Sequence, residues 1–128
     1  MIVVDTGVLA ALLLPGRLSL AAEALLRREP CWAAPSSWRG AWRTRLAEEL
    51  RGGRVSLPQA LALERCAGEL VIRREEAVAP EAGLRLVAGS GCGLESCEAV
   101  VAARQLGVPL VSRDPALLAA FPELAQPL

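Results

Sequence analysis

Short apolar runs alternate along this chain with longer stretches whose apolar residues return every three or four positions. Met1–Val4 is largely β-branched and stops at Asp5-Thr6-Gly7, the signature of a buried strand ending in a turn. Val8–Leu14 then reads as a helix closed by Pro15-Gly16, and Ser19–Arg28 as a second one. Cys31–Ala34 predicts a strand before Pro35. Ser36 or Ser37 is placed to cap a long helix in which Trp38, Trp42, Leu46 and Leu50 recur at every fourth position, ended by Gly52-Gly53. Leu57-Pro58 opens a helix carrying Leu61, Leu63, Ala67 and Leu70, and Val71–Val78 contains a short strand or extended link. Pro80–Ala88 reads as helix, broken over Gly89–Gly93, and Leu94–Leu106 as helix ending at Gly107. Val108–Ser112 is a strand, and Asp114-Pro115 starts a last helix to Ala120, with proline at the first helical position behind an aspartate cap.

Strands alternating with helices imply an α/β sandwich on a small, mostly parallel sheet. The chain has 128 residues, 53% of them hydrophobic and 22% charged, with no internal repeat, linker or low-complexity tract. One domain spanning residues 1–128 is the expectation, burying roughly two thirds of the unfolded chain's surface. No apolar run approaches the roughly 20 residues that cross a bilayer. The start lacks a basic segment and a small-residue cleavage site, so neither a signal peptide nor a membrane segment is expected, and the location expected is cytoplasmic.

Composition narrows the chemistry further. The chain has no Lys, His, Tyr or Asn; its 14 basic residues are all Arg, and Asp5 and Asp114 are its only aspartates. Without His there is no Ser-His-Asp triad, Cys-His pair or HExxH zinc site. Without Lys there is no P-loop, Schiff base or kinase-type phosphate clamp, and the lack of a strand-end Lys counts strongly against a flavodoxin-like receiver domain. The four cysteines, Cys31, Cys66, Cys92 and Cys97, are too scattered for zinc and read as small buried hydrophobes. Cys92 and Cys97 could approach each other, but a cytosolic disulfide is uncommon. A net charge of zero argues against a general polyanion binder and leaves room for a local arginine face.

Asp5 ends the first expected strand and Asp114 follows the last. In a parallel α/β sheet the strand C-termini share one edge, where ligands bind in a crevice. Two carboxylates there can hold Mg²⁺ or Mn²⁺, which take oxygen ligands. Each aspartate also precedes a helix, where capping alone would account for it.

With these residues in view the chain resembles the PIN domains, in particular the VapC-type toxins of toxin–antitoxin pairs. The matching segments run in order over nearly the whole chain: Val4-Asp5-Thr6, Ala34-Pro35-x-x-Trp38-Arg39, Arg51-Gly52-Gly53-Arg54, Ser90-Gly91-Cys92 and Cys97-Glu98-x-Val100. The most specific is the last, Leu106 to Asp114 followed by Leu117-Leu118. The resemblance implies a PIN-like three-layer α/β/α sandwich and a Mg²⁺- or Mn²⁺-dependent ribonuclease, whose acidic side chains, commonly four, hold metal that activates water against an RNA phosphodiester. It implies Asp5 and Asp114 as catalytic metal ligands, with Ser112 where the family often has Thr or Ser.

The same resemblance marks two departures. The family's helix glutamate falls at Ala41 and its asparagine at Thr44; its aspartate falls at Ser96 and the neighbouring tyrosine at Glu95. Thr6, Ser96, Glu98 and Ser112 are candidate auxiliary residues, while Glu95 is expected at the wrong helical angle to replace the missing aspartate. With two of four acids present, the expected nuclease activity is weak or absent. The alternative is a catalytically inactive PIN module for antitoxin binding, RNA binding or dimerisation. Arg39 and Arg43, four apart in a stretch that also contains Arg45, Arg51 and Arg54, are candidate RNA contacts or else a solvated face shared with Glu48 and Glu49. Trp38 and Trp42 are either core or an apolar patch for a second subunit, and the resemblance implies a homodimer and a cognate antitoxin.

Overall fold

The computed structural model describes all residues 1–128. Its elements run β1 (Ile2–Val4), α1 (Thr6–Leu13), α2 (Ser19–Arg28), β2 (Trp32–Pro35), α3 (Trp38–Arg51) and α4 (Leu57–Cys66). They continue with a wide π-helical turn (Ala67–Val71), β3 (Ile72–Glu76), α5 (Pro80–Ser90), α6 (Leu94–Leu106), β4 (Leu110–Ser112), α7 (Pro115–Ala120) and β5 (Ala125–Pro127). The five strands form one sheet in the order β3-β2-β1-β4-β5, and every neighbouring pair is parallel rather than mostly so. No single helix is long and apolar enough to cross a membrane.

Strand side chains alternate between two cores. Ile2, Val4, Trp32, Ala34 and Val111 pack with α1, α2 and α3 on one face, while Val3, Ala33 and Leu110 pack with α6 and α7 on the other. A sheet buried on both faces is what a parallel sheet requires, and it makes the three-layer sandwich. Trp38 and Trp42 are buried in the first core at 5% and 1% exposure, which decides between the two readings of that pair in favour of core. Cys92 and Cys97 are buried and unbonded, with the Cys97 thiol donating to the Cys92 carbonyl at 3.8 Å.

Several boundaries differ from expectation for local reasons. α1 begins at Thr6 rather than Val8 because the Asp5 carboxylate accepts the Val8 N–H and closes the first turn early. Ser37 occupies the cap position of α3, but its backbone is already helical (φ −71°, ψ −9°) and its hydroxyl caps nothing; a capping side chain needs an extended backbone. α5 runs through Gly89 and stops at Gly91, whose φ of +74° supplies the left-handed conformation that ends a helix. The helix that opens at Leu57 stops at Cys66, so Ala67 and Leu70 fall in the π-turn. β5 carries no alternation and was not legible; it pairs with β4 as a short edge ending at Pro127. The other edge, β3, is blunted by exposed Arg73, Arg74 and Glu75.

The C-terminal end of α3 is held by Glu49, which accepts from Arg45 Nε at 3.2 Å and Arg54 Nε at 2.7 Å. The hydrogen bond from Arg54, with the one from Arg45 and the charges of both, holds the Glu49 carboxyl below the ordinary glutamate value against the opposing effect of burial. A depressed folded-state pKa contributes stability that is present above the unfolded value and lost as pH falls through the folded one. In urea denaturation, wild type should therefore have the higher midpoint against Glu49→Gln at neutral pH. The gap should persist down to about pH 4.5, the ordinary value, and close below it.

Candidate functional site

The strand order places the candidate site. Successive connections carry the chain from β1 outward to β2 and β3, then back across to β4 and outward to β5. The order therefore reverses between β1 and β4, the place where an open parallel sheet leaves a crevice at its strand C-termini. The register Val4↔Val111 sets Asp5 level with Ser112, and Asp114 follows two residues on.

Both aspartates cap helices, and they also line one cleft. Asp5 accepts the Val8 N–H at 2.9 Å and Asp114 accepts the Ala116 N–H at 3.0 Å. The fully buried Ser112 hydroxyl donates to the other Asp5 carboxylate oxygen and accepts the Asp114 N–H, which lies at 3.0 Å. Ser96, in the first turn of α6, donates its hydroxyl to Asp114 Oδ2 at 3.0 Å. One chain of hydrogen bonds thus runs from Asp5 through Ser112 to the Asp114 backbone, and its carboxylate ends at Ser96. The capping explanation and the convergence hold together.

Burial is the main cause that raises the Asp5 pKa above the ordinary 3.8; hydrogen bonds from Ser112, the Val8 N–H and the Arg113 backbone oppose it, and the nearby Glu95 charge adds to it. Asp5, Gly7, Glu95, Ser96, Arg113 and Asp114 form an open cleft of about 390 Å³. Gly7 lets the first turn of α1 come close, since a Cβ there would lie 3.3 Å from Asp5 Oδ1.

Glu95 enters the cleft without converging on the two aspartates as a third ligand. It reaches the cleft from the first turn of α6, where its carboxylate accepts the Thr6 N–H at 3.0 Å. Helical angle alone puts it off the Ser96 direction, but α6 starts beside the β1–α1 junction and a glutamate stem spans the difference. Thr6 itself stands at the rim, its backbone tied to Glu95. Ala41 and Thr44 line an adjoining cleft with Thr6, Gly7 and Glu95, so the α3 position lacking an acid does face the site. Glu98 points elsewhere: its side chain packs on α5, so close that a Cβ at Gly83 would meet Glu98 Cγ at 2.9 Å.

The two arginines singled out in the sequence are engaged away from the cleft. Arg39 pairs with Glu75 at 2.7 Å, on an oxygen that also accepts from Trp38 Nε1, and its guanidinium lies 5.0 Å from the Trp38 ring. Arg43 pairs loosely with Glu64 at 3.8 Å. Arg113, part of the closing motif but given no site role there, lines the acidic cleft because it lies between Ser112 and Asp114.

No family model matches the chain, and no curated protein matches it by sequence. Solved structures do match it in fold. PAE2754 from Pyrobaculum aerophilum superposes with a TM-score of 0.74 at 21% identity, over 98% of this chain and 89% of that one. VapC20 of Mycobacterium tuberculosis, described as a sarcin–ricin loop cleaving toxin, superposes with a TM-score of 0.69 at 19% identity, over 94% and 95%. The fold is PIN-like, of the VapC type.

In this PIN-like fold the cleft can be tested for its fit to a divalent cation. No three His, Cys, Asp or Glu side chains converge closely enough to hold an ion. Asp5 and Asp114 each spend oxygens on a helix N–H and a serine hydroxyl, yet a carboxylate offers about four lone-pair sites, so both retain capacity toward the cleft. Mg²⁺ is often held by only one or two carboxylates together with waters and substrate phosphates, and the pair meets that minimum.

Ser112→Ala would strand the partly buried Asp114 N–H and remove the hydroxyl that stabilises ionised Asp5. Urea denaturation should show a loss of about 1–3 kcal/mol. Because the lost bond favours the charged form, the Asp5 carboxyl should titrate higher still, read from its side-chain ¹³C resonance. With two aspartates in the chain the assignment is simple.

Proposed function

We propose that this chain is a VapC-like PIN-fold protein whose Mg²⁺- or Mn²⁺-dependent ribonuclease site is reduced to Asp5 and Asp114, so that RNA cleavage is weak or absent. The observation that carries this reading is the linkage of the only two aspartates through Ser112 at the sheet's switch point. Ala41 and Ser96 stand at the two positions where the resemblance places further acids.

When bound, the ion supplies an activated water and positive charge opposite the phosphate. The chain's own residues do the positioning. Asp5 and Asp114 would hold the ion, while Ser112 and Ser96 orient their carboxylates by hydrogen bonds. Glu95 spends an oxygen on the Thr6 N–H, which keeps its charge near the cleft without making it a third close ligand. A second ion would need bridging acids that Ala41 and Ser96 do not provide. The proposed setting is a cytoplasmic homodimer with a cognate antitoxin, as the resemblance implies. The absence of three convergent ligands favours a second reading, a non-catalytic module that keeps the fold for binding.

Two measurements separate these. Millimolar Mn²⁺ should raise the Tm of wild type and not of Asp5→Asn or Asp114→Asn; an unchanged wild-type Tm leaves only the non-catalytic reading. Ala41→Glu combined with Ser96→Asp should increase Mn²⁺-dependent RNA cleavage by at least roughly tenfold over the parent, as restored ligands strengthen charge stabilisation on the phosphate. Cleavage that survives in both aspartate variants would sink the site.

A further inference from the structure

Beside the acidic cleft lies a second one of opposite character. It is formed by the end of α1, the Pro15–Leu18 loop, Arg45 of α3 and Arg113, and its charged lining residues are Arg17, Arg45 and Arg113. No carboxylate lines it, although the chain as a whole is neutral. Its volume of about 110 Å³ is several times the roughly 10–15 Å³ that admits one water, so a tetrahedral oxyanion has room.

The three guanidiniums are available. Arg17 and Arg113 are exposed and take part in no ion pair. Arg45 is held through Nε by Glu49, which fixes its stem and leaves the terminal nitrogens outside any hydrogen bond within the protein. α2 begins just past the cleft with no side-chain cap at Leu18, so its positive end adds to the same potential. Arg113 lines both clefts, which makes the basic cleft the immediate neighbour of Asp5 and Asp114.

We infer that Arg17, Arg45 and Arg113 form a phosphate subsite that seats an RNA backbone phosphate next to the one presented at the two aspartates. The inference rests on reading the acidic cleft as facing RNA, and it adds which residues hold the strand. Three carboxylates at the rim, those of Asp5, Glu95 and Asp114, repel a polyanion. A fork of arginines one cleft away compensates that repulsion, and the planar guanidinium suits a phosphate oxygen pair. Arg39 and Arg43 do not line this cleft and are not part of the subsite.

The test is binding of a labelled 12-nucleotide single-stranded RNA, followed by anisotropy in EDTA at several salt concentrations. Arg17→Gln and Arg113→Gln, both at exposed positions and keeping an amide-ended stem, should each weaken binding roughly five- to tenfold. Each should also reduce the slope of log affinity on log salt by about 0.7, the value for one phosphate contact on a single strand. Arg28→Gln, at the far end of α2, makes the same charge change and should leave affinity and slope near wild type. Wild-type behaviour in both cleft variants, an equal loss in Arg28→Gln, or no RNA binding by wild type overturns the subsite. So does a polyglutamate peptide of matched charge that displaces the RNA as well as unlabelled RNA does, because the cleft would then read acidic peptides. The EDTA measurement is independent of cleavage. Arginine-dependent binding without Mn²⁺-dependent cleavage keeps the subsite and loses the nuclease; cleavage with unchanged arginine variants does the reverse.

Discussion

The pairing of β1 with β4 is the constraint on which the rest of this structure depends. Its register, Val4 beside Val111, brings residues distant in sequence to one level at the sheet's C-terminal edge. From there each strand turns directly into a helix, so Asp5 and Asp114 are both caps and cleft residues. A one-residue slip would send Val4 and Val111 to the wrong core and move Asp5 off Ser112. The two hydrophobic layers therefore hold the polar site in register, although no apolar side chain takes part in its chemistry.

Ser112 concentrates that dependence in one side chain. Buried with no exposure, it satisfies the Asp114 N–H and the Asp5 carboxylate together. A buried hydroxyl in such a position both satisfies the backbone and ties the segments that carry the two acids. At Asp5 burial, joined by the Glu95 charge, outweighs three hydrogen bonds and raises the carboxyl above its ordinary value.

The charges around the site follow the same logic of placement over composition. A chain of zero net charge keeps an acidic cleft and a basic cleft side by side, joined at Arg113. The arginines that looked most like an RNA face, Arg39 and Arg43, pair with Glu75 and Glu64 from β3 and α4, distant partners that no local spacing could reveal. Arg17 and Arg113 had no helical neighbour to mark them, and only the meeting of three segments makes them a group.

What the sequence determined by itself is what local periodicity and short motifs control. The bounds of α2 and α6 were legible because Pro and Gly breakers flank them in the chain, and the alternation of strand and helix implied the parallel sandwich. The scarcity of aspartate, with both copies at strand ends, pointed to the edge of the sheet where Asp5 and Asp114 line one cleft. Tertiary structure alone decided the reach of Glu95, the direction of Glu98, the partners of Arg39 and Arg43, and the edge strand β5. Each of these turns on the distance between segments far apart in sequence, and such distances are set by how α6, α3 and the sheet pack, not by any pattern within one segment.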